Sequence, residues 1–197
     1  MVNIKTLPLG AYQTNCYLVW GEGADSVIVI DPGYHPERVL SEVKLLNKSV
    51  AAILLTHGHF DHVGGVKDIA AETDCSVYLH EGELSQPPSM TAGPLYYTHT
   101  YGEGDSLHLA GLNLRVLHTP GHTPGSVCLI CEDCLFAGDT LFMGSCGRTD
   151  FPGGDMGQMR ASLTRLAELP GDYKVFSGHG PETTLNMERK YNPYIST

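Results

Sequence analysis

The sequence predicts an α/β protein built on mixed β-sheet with helices on the outside, and three observations predict it. Apolar strand-like runs outnumber helical stretches and often follow one another directly, which requires antiparallel neighbours. Other runs alternate with helical segments, and a mixed sheet suits the whole pattern better than a purely parallel doubly wound fold. No linker or shift in composition divides the 197 residues, so residues 1–197 read as a single domain.

The first strands are Val2–Lys5, Cys16–Trp20 and Val27–Ile30, separated by Pro8, Gly10, Gly21 and Gly23 and closed by Asp31-Pro32-Gly33. A helix is predicted over 36–48, where Val39, Leu40, Val43 and Leu46 share one side and Pro36 opens it. Residues 50–55 form the next strand. A helix through 66–71 and a short strand at 76–79 follow, then a long surface loop over 84–104 rich in Ser, Pro, Gly, Tyr and Thr. Its aromatic part, Leu95 to Tyr101, is expected to face solvent, with the cleft wall and a subunit contact as alternatives. Strands are predicted at 112–118, 127–135 and 173–176, and helices at 155–168 and 182–190.

The formal net charge is −10, and an acidic surface repels phosphate backbones, which excludes a general nucleic-acid binder. No basic run suits a membrane surface, and no apolar stretch approaches the roughly 20 residues that span a bilayer. The first 20 residues lack the pattern of an export signal. The six cysteines are therefore expected to be free thiols in a cytoplasmic protein. Cys128, Cys131 and Cys134 have a spacing that can hold an iron–sulfur cluster. Cys128 and Cys131 would point to opposite faces of a strand, however, and a probable turn at Glu132-Asp133 separates Cys131 from Cys134. Cys146 reads as a packing thiol.

One segment stands apart. Thr56-His57-Gly58-His59-Phe60-Asp61-His62 puts three histidines and an aspartate directly behind the apolar run 50–55. Buried imidazoles and carboxylates need partners, and these are too close together to find separate ones. Imidazole nitrogens and carboxylate oxygens both bind zinc, and four donors in six positions are more readily shared between two ions than crowded round one. Further donors follow at abrupt strand ends: His118 and His122, Asp139, and His179. Strand ends are where loops carry chemistry on a rigid scaffold. Spacing alone does not choose between His118 and His122.

The order T-H-x-H-x-D-H, H-T-P-G-H-T-P-G-S, F-A-G-D-T-L-F and S-G-H-G resembles the metallo-β-lactamase superfamily over nearly the whole chain. The resemblance implies a four-layer αβ/βα sandwich, two mixed sheets face to face with helices on the outer faces. It implies that His57, His59 and His122 hold one metal ion, that Asp61, His62 and His179 hold a second, and that Asp139 bridges them. The two divalent ions would be zinc first, with iron or manganese as alternatives. Asp31 would support the histidine loop from behind, or simply start a turn.

Within the superfamily, the penicillin-cleaving members usually carry cysteine where this chain has Asp139. The RNA-processing members are longer. The stretch Gly144–Asp155 and the ending from Gly178 are most similar to the short glyoxalase II-like branch, which implies a hydrolase of hydroxyacylglutathione or a similar thioester. This chain lacks the C-terminal helical domain and the lysine-x-tyrosine pattern that serve glutathione in the longer members, so a different thiol carrier fits the chemistry equally well. In this reading Asp61 orients the attacking hydroxide, the substrate is a small molecule, and Arg148 binds a substrate carboxylate or braces its loop against Asp150 or Asp155. The alternative enzyme is a persulfide dioxygenase, whose branch resembles this chain at Cys146–Phe151 and would use one iron on His57, His122 and Asp139. A metal-stabilised binding domain without turnover is the remaining class; loss of a ligand would mark it, and none is missing.

Overall fold

The computed structural model describes residues 1–91 and 93–195. The elements run β1 (Val2–Leu9), β2 (Thr14–Gly21), β3 (Ser26–Ile30), α1 (Pro36–Leu45), β4 (Ser49–Leu54), α2 (Phe60–Val63), α3 (Val66–Thr73) and β5 (Ser76–His80). A 3₁₀ turn (Glu81–Ser85), α4 (Pro88–Thr91), β6 (His99–Tyr101), β7 (Ser106–Leu109), β8 (Leu112–His118), β9 (Val127–Cys131) and β10 (Cys134–Gly138) follow. The chain continues through β11 (Leu141–Phe142), β12 (Ser145–Cys146), α5 (Met156–Ala167), β13 (Lys174–Ser177), β14 (Thr183–Thr184) and α6 (Leu185–Tyr191).

Two six-stranded mixed sheets result. The first is ordered β1-β2-β3-β4-β5-β6, antiparallel through β3 and parallel from β3 to β6. The second is ordered β14-β13-β10-β9-β8-β7, with β10 and β13 parallel and the other pairs antiparallel.

Alternation along the strands sets the layers. Tyr17, Val19, Ile28, Ile30, Ala52 and Leu54 of the first sheet meet Leu114, Val116, Leu129, Phe136 and Phe176 of the second in a core between the sheets. Their neighbours Cys16, Leu18, Val27, Val29 and Ile53 face the other way, onto Val39 and Val43 of α1 and Val66 and Ile69 of α3. Leu117, Cys128, Ile130, Leu135 and Val175 likewise face Met159, Leu163 and Leu166 of α5. The four layers are the αβ/βα sandwich expected. Helix ends carry the expected signals: Pro36 opens α1, and the Asp155 carboxylate accepts from the Gln158 N–H at the start of α5.

One expectation changes. The 84–104 stretch is not one loop. It contains the 3₁₀ turn's end, α4 and β6, because Tyr101 is buried and donates its hydroxyl to the Leu55 carbonyl, docking a short strand on β5. In its aromatic part Tyr96 and Tyr97 face solvent as expected, and none of 95–101 walls the cleft described below. The turn expected at Glu132-Asp133 divides 127–135 into two strands, with Glu132 in a left-handed conformation (φ 50°).

All six cysteines are free. Cys131 and Cys134 face each other across β9 and β10 in the central core, whereas Cys128 points to the opposite face. Burial pushes the Cys128 and Cys131 thiols to about 11 and Cys134 to about 12, as packing thiols behave. Among the described residues no helix is long and apolar enough to cross a membrane.

Phe136 is fully buried at the centre, 5.4 Å from Tyr17 and 5.2 Å from Phe176 between ring centroids. Phe136→Ala is expected to cost about 3–5 kcal/mol of folding stability, measured by urea unfolding.

Candidate metal centre

The seven predicted donors come together at one edge of the sandwich. His57 and His59 lie in the loop after β4, and Asp61 and His62 on the single turn of α2. His122 lies in the link between β8 and β9, Asp139 follows β10, and His179 follows β13. Packing is tight enough that glycine is required beside them: a Cβ on Gly178 would sit 2.1 Å from an Asp139 carboxylate oxygen.

Three groups of donors form among the described residues; one joins Asp31 to His57 and His62, and the other two share no member. His57, His59 and His122 have ligand atoms within 4.8 Å of one another, as do Asp61, His62 and His179. In the second group His62 Nε2 lies 3.3 Å from His179 Nε2, and His179 Nε2 lies 3.2 Å from Asp61 Oδ2. Asp139 stands between the groups, its Oδ1 3.5 Å from His62 Nε2 and its Oδ2 3.6 Å from both His122 Nε2 and His179 Nε2. The Nε2 atoms of His57, His59 and His122 and Oδ1 of Asp139 are buried without a hydrogen-bond partner. Orphaned buried polar atoms are costly, and four aimed at one space are what a divalent cation would satisfy. Nitrogen and carboxylate donors of this kind suit zinc and iron.

Three of the rings are steered from behind by distant groups. Asp31, buried and in a left-handed conformation (φ 49°), accepts from the Thr56 N–H at 2.8 Å, from the Thr56 hydroxyl and from His62 Nδ1 at 2.9 Å. Both parts of the Asp31 expectation meet here, since it ends β3 and braces the histidine loop. The Arg148 carbonyl accepts from His122 Nδ1 at 2.7 Å, and the Tyr12 carbonyl from His179 Nδ1 at 3.1 Å. Ring nitrogens so engaged leave the opposite nitrogen for a metal. His118 points elsewhere. Its ring stacks on His80 at 4.2 Å and its Nε2 meets the Pro124 carbonyl, so His122 is the member of the pair at the centre.

The electrostatics separate the two groups. Burial, then the neighbouring His122 and His62, holds His59 down to about 4; burial and the surrounding histidines hold His57 well below its ordinary range. Burial works against a charged His62 too, but the Asp139 and Asp31 carboxylates outweigh it and raise that ring to about 9. Burial would raise the Asp61 carboxyl, yet the His179 hydrogen bond, His62 and the Thr14 hydroxyl at 3.0 Å bring it well below the usual range. One side thus keeps His57 and His59 neutral, and the other is an imidazole–carboxylate cluster.

A cleft of about 410 Å³ opens over these groups, walled by Tyr12, Phe60, Met90, Phe142 and Phe151. Arg148 lines it as well, donating from Nε and Nη2 along one guanidinium edge to the two Asp150 carboxylate oxygens at 2.7 Å, with its guanidinium carbon 3.7 Å from the Phe151 ring centre. Several supports had no signal in the sequence. Thr14, which fixes Asp61, and Asn15, which donates to the Ser177 and Gly180 carbonyls around His179, precede the strand predicted from Cys16 and carry no motif.

If the orphaned donors hold metal, Asp31→Ala releases His62 and the Thr56 turn together. The affinity for added zinc is expected to fall by about 10–100-fold in competition with a chelator.

A model of the metallo-beta-lactamase superfamily matches residues 9–179. The hydroxyacylglutathione hydrolase GloC of Haemophilus influenzae is 35% identical over the full length of this chain and 99% of its own. The crystal structure of the BLEG-1 B3 metallo-beta-lactamase superposes with a TM-score of 0.91 at 36% identity, covering 99% of this chain and 100% of that one. TTHA1623 in a di-iron-bound form gives 0.84 at 40% identity (96% and 99% covered), and ETHE1 from Myxococcus xanthus gives 0.83 at 29% (97% and 83%). The four-layer fold, the paired His/Asp groups and the match from residue 9 to 179 agree: the chain belongs to the metallo-beta-lactamase superfamily.

Proposed function

We propose that this protein is a metal-dependent hydrolase that cleaves a thioester, hydroxyacylglutathione or a similar acyl thiol. The observation that carries the reading is the complete set of seven His and Asp donors, four of which carry a buried Nε2 or Oδ1 atom without a partner. The named glutathione-thioester hydrolase among the relatives supports the choice of substrate.

His57, His59 and His122 would hold one divalent ion and Asp61, His62 and His179 the other, with Asp139 shared. Ions held there, zinc first and iron or manganese as alternatives, would supply an acidified water and a Lewis acid for the substrate carbonyl. The chain's own residues do the rest. Asp61, kept ionised by His179, His62 and Thr14, accepts a hydrogen bond from the attacking water and aims it. Asp31 holds His62 in one orientation. The aromatic walls of the cleft pack against the acyl and thiol chains and exclude bulk water. A thiolate leaves without help from a strong acid, since its conjugate acid ionises near 8.5. Arg148 is proposed as the contact for a substrate carboxylate. Its pairing with Asp150 is solvent-exposed on both sides, and exposed pairs exchange partners at little cost.

The resemblance at Cys146–Phe151 and the likeness to the ETHE1 structure favour a second reading, a persulfide dioxygenase with one iron on His57, His122 and Asp139.

Protein grown in defined medium, analysed for metal and then assayed on acyl thioesters, a chromogenic β-lactam and a glutathione persulfide, tests these readings. Thioester turnover that a chelator abolishes and added metal restores is the expected result. Oxygen uptake on the persulfide by a protein carrying one iron would establish the second reading, and preferential β-lactam cleavage would displace both. Asp61→Asn is expected to lower kcat on the best thioester by about 100-fold or more. Arg148→Ala should raise KM for thioesters bearing a carboxylate and leave KM for neutral ones unchanged.

A further inference from the structure

Glu83 is a fully buried carboxylate outside the seven donors. It lies on the 3₁₀ turn that follows β5 in the first sheet. Its Oε2 accepts the Gly58 N–H at 2.6 Å, and its Oε1 accepts the Gly125 N–H at 2.7 Å. Gly58 separates His57 from His59, and Gly125 closes the His122-Thr123-Pro124-Gly125 link before β9 in the second sheet. One side chain therefore ties together the two loops that carry the three-imidazole group.

The contact is built at backbone range. A Cβ on Gly58 would sit 2.9 Å from Glu83 Oε2, one on Gly125 would sit 2.7 Å from Glu83 Oε1 and from its backbone nitrogen, and one on Gly82 would sit 2.9 Å from Gly125 Cα. Side chains at these positions would hold the segments apart. Two N–H donors aimed at one side chain require two acceptors, and a carboxylate supplies both. Glutamine has the same shape but turns its NH₂ toward one of the donors, and aspartate is a methylene too short to span them. A buried carboxylate with uncharged hydrogen-bond partners is costly, and the gain here is a fixed distance between two loops from different sheets.

We infer that Glu83 is a positioning residue for the metal centre: it sets the spacing of His57 and His59 relative to His122, so that three imidazoles stand ready for one ion. The inference rests on the metal-centre reading above and is independent of which substrate is turned over. Glu83 is not among the residues that wall the cleft, so its loss acts through the ligands and not through substrate contact.

Glu83→Gln tests this, with zinc affinity measured by chelator competition and the melting temperature of the metal-free protein recorded beside it. The expected result is at least a 10-fold loss of affinity for the ion on the three-histidine side, within the range that supporting hydrogen bonds to metal ligands command. A lower kcat with unchanged KM should accompany it. Gly58→Ala, whose Cβ displaces the Glu83 oxygen without removing the carboxylate, should reproduce the affinity loss and serves in place of Glu83→Gln if that variant does not fold. Zinc affinity within twofold of the parent in a folded variant, whatever its melting temperature, would overturn the positioning role and leave the metal-centre reading standing. Failure of the parent protein itself to bind zinc or iron would remove both.

Discussion

The site depends on the direction in which strands end. β3, β4 and β5 run parallel in the first sheet, and β10 runs parallel to β13 in the second. β8 reaches β10 through two antiparallel pairings and so points the same way as β10. Asp31, the His57–His62 segment, His122, Asp139 and His179 all lie just beyond the C-terminal ends of these strands. Packing the two sheets face to face then leaves their polar ends nowhere to go except toward one another. The apolar core between the sheets supplies the driving force, and the crowded edge is its by-product as well as its use.

That crowding is tolerable because the donors are held rather than merely adjacent. Carboxylates and backbone carbonyls steer the rings: Asp31 takes His62, the Arg148 carbonyl takes His122, and the Tyr12 carbonyl takes His179. Every one of these contacts bridges positions distant in sequence, so the orientation of these three rings is a property of the assembled sandwich. A similar economy governs the cleft, where aromatic side chains from the β1–β2 turn, α2 and the loop after β12 form a dry wall over a polar floor. Low local dielectric strengthens every charge interaction beneath it.

Much of this was legible in the sequence because the periodic parts are long and the donor-bearing motifs are contiguous. The unbroken apolar runs 27–30 and 50–55 report two-faced burial directly, and four donors within 57–62 are hard to read as anything but a shared site. The convergence of His122, Asp139 and His179 was not in any local pattern; only the resemblance separated His122 from His118. The missed pieces share a cause. β6 and β7 are short strands whose pairing is decided by a few tertiary contacts, such as the Tyr101 hydroxyl on Leu55, and tertiary context overrides weak local preference. Thr14, Asn15 and Glu83 carry ordinary residue types at positions where a strand start or a polar turn explains them equally well. Their roles exist only once a partner more than 20 positions away, Gly58 for Glu83 and Asp61 for Thr14, has been brought alongside.

The grip of Asn15 on the Ser177 carbonyl joins positions 162 apart, and Tyr17 holds the same carbonyl from across the core. Contacts of such long range reward the chain late, after the intervening loop entropy has been overcome. During synthesis the first sheet, complete by Tyr101, has all its strands long before β13 leaves the ribosome. The nascent protein therefore presents His57, His59, Asp61 and His62 as an unfinished half-nest, and the ring of donors closes only when the last parallel strand slots in beside β10.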